Sequence, residues 1–168
     1  MSYHNDEVRG VVIQAGIERL LLPNATIGEV LSKVPVEAIP NTPGWLVGQI
    51  DWQGWKVPLI AFASLSGLGE ELSIGHNKIV VLKALGGNER LPYFAIQTAV
   101  FPQLVSVPRD GLLADAAEGE LPEVVRMRVL LGKRSTLLPD LDAVERKVME
   151  ALDAVNWNDS GSQGGPRA

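Results

Sequence analysis

The sequence predicts a mostly β protein, made of small barrels and covered at one end by a C-terminal helix. Many short apolar segments rich in β-branched residues are separated by turns that contain Gly, Pro or Asn, a pattern typical of compact β folds. Closing such strands into barrels leaves few unpaired edges. One late segment instead carries apolar residues at helical spacing. The 168 residues suffice for one domain or two small fused modules.

Residues 41–60 predict a β-hairpin. Apolar strands at 45–51 and 55–62 are separated by the two-residue turn Gln53-Gly54. A two-residue turn that ends in Gly favours a primed hairpin turn, because Gly adopts positive φ at no steric cost. We regard this hairpin as the centre of the molecule.

Three of the four Trp residues, Trp45, Trp52 and Trp55, lie in this hairpin. Trp52 and Trp55 flank the turn, where cross-strand neighbours can stack. Aromatic side chains on a stiff scaffold are typical of protein-recognition surfaces. Filling the centre of a small barrel is an equally good interpretation. Both hold if Trp45 lies inside and Trp52 or Trp55 lies near the rim.

The other strands are predicted from β-branched composition and from period-two alternation, which buries one face and exposes the other. They cover residues 8–15, 19–23, 77–84, 91–100, 104–107, 123–131 and 134–138. Residues 27–30 form a short element of undetermined type, and 34–43 an extended loop. A short helical turn is expected at 64–68 and an exposed connection at 109–120.

The C-terminal helix is predicted over residues 141–155. Leu141, Val144, Val148 and Leu152 form a one-sided apolar stripe. Asp140 is a suitable N-cap residue. Residues 1–7 and 156–168 are polar and predict a flexible N-terminus and a flexible tail, in which Trp157 is the single large apolar group.

Composition excludes several classes of function. The net charge of −5 and the absence of a basic stripe argue against a nucleic-acid partner. The absence of Cys excludes disulfides and thiolate metal sites. The polar start resembles no signal peptide, and the apolar runs are far shorter than the ~20 residues of a spanning helix. We therefore expect a cytoplasmic protein without membrane insertion.

The titratable residues predict no enzyme, no cofactor and no metal site. Catalysis needs titratable groups that converge in a pocket, and no catalytic or metal-binding motif is present. The candidates are isolated histidines and acidic pairs in predicted loops or termini: His4, His76, Glu70-Glu71 and Glu118-x-Glu120. Solvated side chains are the expected state of all of them.

The hairpin resembles the signature of CheW-like domains. That signature has a Thr-Pro segment, a Gly, an Asn-x-Arg-Gly turn and a strand that contains Val-Pro. The matching positions here are Pro43, Trp45, Gly48, Asp51, Gly54, Val57 and Pro58. Ile27-Gly28-Glu29-Val30 is similar to the family's upstream element. The resemblance implies one CheW-like domain over residues 8–155, with two adjacent SH3-like five-stranded β-barrels and a C-terminal α-helix.

The resemblance also implies a non-enzymatic adaptor that couples the cytoplasmic tip of a chemoreceptor to the regulatory domain of a CheA-like histidine kinase. The receptor-facing positions that it implies are Ile27, Glu29, Val47, Gly48 and Gln53. Gln53 replaces the usual Arg and Asp51 the usual Asn, so the chain resembles divergent adaptors of the ChpC type in pilus-linked chemosensory systems that govern twitching motility. The alternative is a small-ligand-binding β-barrel in which the Trp cluster lines a pocket.

Overall fold

The computed structural model describes residues 7–69, 78–108, 113–114 and 120–157. Outside these ranges lie His4, His76, Glu70-Glu71 and Glu118, together with residues 1–6, 158–168 and most of the predicted connection at 109–120. Glu7, which the sequence placed in the flexible N-terminus, is the first residue of a strand.

The described residues form eleven strands and two α-helices. They are β1 (Glu7–Ala15), β2 (Glu18–Pro23), β3 (Ile27–Ser32), β4 (Leu46–Trp52), β5 (Trp55–Ile60), α1 (Phe62–Ser66), β6 (Lys78–Lys83), β7 (Tyr93–Thr98), β8 (Gln103–Pro108), β9 (Leu113–Ala114), β10 (Val125–Leu131), β11 (Arg134–Pro139) and α2 (Leu141–Ala154). Each predicted strand is present, and the element of undetermined type is β3. Neither α-helix has the length and apolar character needed to cross a membrane, within the described part of the chain.

The strands form two sheets, and neither sheet is built from one continuous part of the chain. One sheet has the order β8-β1-β2-β11-β10-β9, and the other has the order β3-β6-β7-β5-β4. The two ends of the chain therefore build the first sheet, and β8 joins it by pairing antiparallel with β1. Backbone pairing leaves each sheet open, but the mostly β fold with two barrel-like subdomains and a C-terminal helix is confirmed.

The four central residues of β6 are all apolar because both faces of the strand are covered there. Val80 and Leu82 belong to a large core that also contains the inner faces of the six-stranded sheet and of α2. Ile79 and Val81 point the other way, into a smaller core inside the five-stranded sheet. Alternate residues of one strand thus join two cores, which is why the sequence shows a continuous apolar run here.

The helix α2 has a side-chain N-cap at its start and a buried carboxylate that attaches it to the rest of the domain. The Asp140 side chain accepts a hydrogen bond from Ala143 N at 3.1 Å, so the predicted N-cap is confirmed. Glu145 is buried, and its carboxylate accepts hydrogen bonds from Leu85 N and Gly86 N, each at 3.0 Å. Burial raises the pKa of Glu145. These bonds attach the helix to the connection between β6 and β7.

Trp157, which the sequence assigned to the C-terminal tail, packs against the folded domain. This side chain is only 8% exposed and belongs to the large core. Its Nε1 donates to Gln49 Oε1 at 2.9 Å, and its carbonyl oxygen accepts from Arg90 Nη2 at 2.8 Å. Asn156 makes the turn with a φ of 56°. The packed structure therefore continues past the helix to residue 157.

Candidate functional site

The tip of the β4–β5 hairpin is a two-residue turn in the left-handed region. Gln53 has a φ of 51° and Gly54 a φ of 84°, which confirms the predicted primed turn. The Gln53 side chain is exposed at this tip. Behind it, Lys56 Nζ lies 2.7 Å from Asp51 Oδ1, and the hydrogen bond to Asp51 raises the pKa of Lys56. The turn is thus supported by a cross-strand ion pair.

The structure distinguishes between the two interpretations that the sequence left open for the hairpin Trp residues. Trp52 is 9% exposed and packs in the smaller core, so it lies inside and not at the rim. Trp55 is partly buried beside it, and Trp45 is partly buried against the larger core. Trp52 and Trp55 are register partners, and both rings meet Tyr93 edge-on, at centroid distances of 4.9 and 6.0 Å.

A side-chain hydrogen bond joins the two end strands of the five-stranded sheet. Trp52 Nε1, on β4, donates to Glu29 Oε1, on β3, at 2.7 Å. An added Cβ at Gly28 would lie 3.5 Å from the Trp52 ring, so β3 runs close over the indole. The barrel is closed here by side chains instead of a backbone ladder. Glu29 itself stays exposed, with its carboxylate held at one position by the buried ring.

Gly48 lies under the chain that precedes the hairpin. A Cβ there would stand 2.5 Å from the carbonyl oxygen of Glu37. Glu37 and Gln49 pair through backbone hydrogen bonds of 2.9 and 2.8 Å, which fix this close approach. Gly48 is buried, whereas the neighbouring Val47 is partly exposed and packs against the smaller core. The backbone at Gly48 therefore shapes the site without presenting a side chain.

The motif residues Val57, Pro58 and Pro43 have structural roles in the hairpin. Val57 and Pro58 are buried in β5, and the ladder from β5 to β7 starts only at Leu59, so the missing N–H of Pro58 leaves no gap in that ladder. Pro43 is exposed and its carbonyl accepts from Leu46 N at 3.0 Å as β4 begins. These residues set the hairpin's start and its return strand.

The five predicted receptor-facing residues differ in their exposure to solvent. Glu29 and Gln53 are exposed, and Ile27 and Val47 are partly exposed; Gly48 is covered. The strand β3 and the hairpin meet through the contact of Glu29 with Trp52. Sequence reasoning missed this pairing because 23 residues separate the two partners along the chain.

Four grooves of the described residues have no hairpin Trp residue in their lining, although one of them includes Gln49 and Lys56 of the hairpin. Their volumes are about 720, 600, 260 and 340 Å³. Among the residues with described positions, no three acidic or His side chains gather where they could hold a metal ion. The geometry supports a surface for contact with another protein more than a pocket for a small ligand.

The comparisons with known proteins agree with this architecture. The model of the CheW-like domain family matches residues 9–148. Among solved structures, the chain is similar to the scaffolding protein TtCheW from Thermoanaerobacter tengcongensis, with 16% identity, a TM-score of 0.67, and coverage of 83% of this chain and 89% of that chain. At that identity the likeness shows a shared fold. No curated protein matches the sequence. Because the family model spans most of its length, the chain belongs to the CheW-like domain family of non-enzymatic chemotaxis adaptors.

Proposed function

We propose that this protein is a cytoplasmic adaptor that couples a chemoreceptor tip to the regulatory domain of a CheA-like histidine kinase. Membership in the CheW-like family supports the adaptor role. The observation that carries the receptor contact is the hydrogen bond from Trp52 to Glu29, which holds an exposed carboxylate beside the hairpin on a rigid, buried support. Rigid placement lowers the entropy lost on binding.

The proposed receptor surface consists of Ile27, Glu29, Val47 and Gln53, shaped by the backbone at Gly48. It combines two partly exposed aliphatic side chains with one exposed carboxylate and one exposed amide. A mixture of apolar and polar groups on a stiff sheet is what a reversible protein contact requires. The kinase regulatory domain would use a separate face, through contact between barrels.

The test is co-elution of the purified chain with the kinase regulatory domain and, separately, with the receptor tip at tens of micromolar. We expect a complex with each. Glu29→Lys should weaken the receptor complex by about tenfold or more, since reversing a charge within an interface costs affinity. Glu89→Lys is the matched control, because Glu89 is exposed in the β6–β7 connection. Equal loss in both variants would remove the site assignment, and no complex with either partner would remove the proposal.

The turn residue Gln53 offers a second test. Gln53→Arg should strengthen binding to a standard receptor tip, because a charge-assisted hydrogen bond is stronger than a neutral one. Both residues would occupy the same left-handed position, where φ is 51°, so the backbone strain is matched. A pull-down with unchanged receptor recovery contradicts this step.

We further propose that the adaptor serves a pilus-linked system of the ChpC type and so acts in twitching motility. The divergent turn, with Asp51 and Gln53 in place of the family's usual Asn and Arg, supports this. Deletion of the gene in its own host should shrink the twitching zone and leave swimming unchanged. Normal twitching in the deletion strain would contradict the assignment and leave the adaptor proposal to the binding experiment.

A further inference from the structure

A groove on the six-stranded sheet brings two arginines together. It has a volume of about 340 Å³ and is lined by Gln14, Arg19, Val100, Phe101, Gln103 and Arg134 among others. Arg19, on β2, is the register partner of Gln14 on β1. Arg134 begins β11, which runs parallel to β2. The topology thus places both guanidinium groups in one depression.

Neither arginine has an acidic partner among the described residues. Arg19 Nη1 is enclosed and has no hydrogen-bond partner. The nearest carboxylate along the chain, that of Glu18, is engaged by Arg128 at 3.5 Å. Burial, and next the charge of Arg134, lower the pKa of Arg19. An enclosed donor without a partner destabilises the fold, and a bound anion would offset both this loss and the repulsion between the arginines.

The rest of the groove indicates the form of the ligand. None of the described residues that line it is acidic. Phe101, 65% exposed, lies on its wall, and Lys78 Nζ sits 6.0 Å from the Phe101 ring centre. The adjoining strand β8 is an end strand, so the described strands pair with only one of its edges. A cationic pair, an exposed aromatic ring and a strand edge that no described strand occupies together suit a side chain on an extended polypeptide.

We propose that this groove binds an anionic oxygen group, presented as an Asp or Glu next to an apolar residue on an extended segment of a partner protein. The planar fork of Arg matches the two oxygens of a carboxylate, as it also matches a phosphate. Phe101 and Val100 would contact the apolar neighbour. The proposal is independent of the receptor contact, since Glu29 and the hairpin belong to the other sheet.

The experiment is an NMR titration of the full-length ¹⁵N-labelled chain with the acetylated and amidated peptide Ala-Leu-Glu-Leu-Ala. Two parallel titrations use the Ala-Leu-Gln-Leu-Ala peptide and inorganic phosphate. We expect the acidic peptide to shift the amide signals of Arg19, Gln103 and Arg134. The Gln peptide should bind about tenfold more weakly, because it lacks the charge-assisted contact. Added KCl should weaken the acidic peptide further.

Substitutions locate the contact. Arg134→Gln, at an exposed residue, and Arg19→Gln should each weaken the acidic peptide about fivefold or more. Arg146→Gln, on α2 and paired with Glu123, is the control and should leave binding unchanged. Equal binding of the Glu and Gln peptides, or full binding by Arg134→Gln, overturns the proposal. Phosphate shifts without peptide shifts overturn the assignment to a polypeptide and indicate a free anion instead.

Discussion

Replacing Trp157 by Ala tests whether the chain beyond α2 belongs to the folded core. A Trp side chain buries about 150–250 Å², which at ~25 cal/mol per Å² corresponds to about 4–6 kcal/mol of apolar stabilisation. Substitution of buried Trp by Ala usually costs about 3–5 kcal/mol, and the cost is lower where the site can collapse around the cavity. Trp157 lies just after the helix, where the chain can close over the gap, so we expect a loss near 3 kcal/mol in the free energy of unfolding.

The measurement is urea unfolding followed by circular dichroism, because the substitution itself changes the fluorescence signal. Trp157→Phe keeps an aromatic ring but removes the Nε1 donor, which lies 2.9 Å from Gln49 Oε1 in the native protein. It should cost about 1–2 kcal/mol, from the lost bond and the smaller ring. Leu104→Ala is the control, since Leu104 is 70% exposed, and should cost under about 0.5 kcal/mol. If Trp157→Ala matches that control, Trp157 is not part of the core and the burial argument fails.

Three further changes follow from the same contacts. Gly48→Ala should destabilise the protein by about 1–3 kcal/mol in urea unfolding, because the new Cβ meets the Glu37 carbonyl, whereas Gly44→Ala enters open space and should change stability by less than about 0.5 kcal/mol. Asp140→Ala should cost about 1 kcal/mol through the lost N-cap, and Asp140→Asn should recover most of it; a flat result for both contradicts the capping role. The raised pKa of Glu145 means that the folded state binds a proton at this carboxylate more tightly than the unfolded state does. The contribution of Glu145 to the free energy of unfolding is therefore most favourable below pH 4.5, and it declines as the pH rises through the folded-state pKa. Unfolding of the native protein and of Glu145→Gln from pH 4 to 7 should show that decline in the native protein alone.

The strands and the hairpin turn were predictable because their causes are local. Period-two alternation correctly places Val125 and Val129 on the buried face of β10, and a Gly at position 54 favours the primed turn. The alternation is wrong at Met127, which is 36% exposed, at the point where the ladder to β11 shifts register. The Asp140 cap likewise depends on the next three residues. The type of β3 was not predictable, because Gly28 weakens its pattern and its strand character depends on pairing with β6.

The candidate site was predictable only in part. The family resemblance assigned Glu29 and Gln53 to one surface, but the residues alone left open whether Trp52 lies in the core or near the rim. A Trp beside an exposed turn has no local feature that shows which side of the sheet its ring will occupy. The deciding contacts, with Glu29 and Tyr93, come from distant strands.

The order of short strands, the primed hairpin turn, the capped helix and the absence of thiol chemistry were determined by the sequence alone, because each depends on neighbouring residues or on composition. The tertiary structure decided the rest. In it, β8 belongs to the sheet formed by the chain ends, Trp157 is buried with its Nε1 bonded to Gln49, and Arg19 and Arg134 line one groove. These outcomes depend on long-range packing of one surface against another, and the free energy of such packing belongs to the whole assembly of strands, not to any one segment.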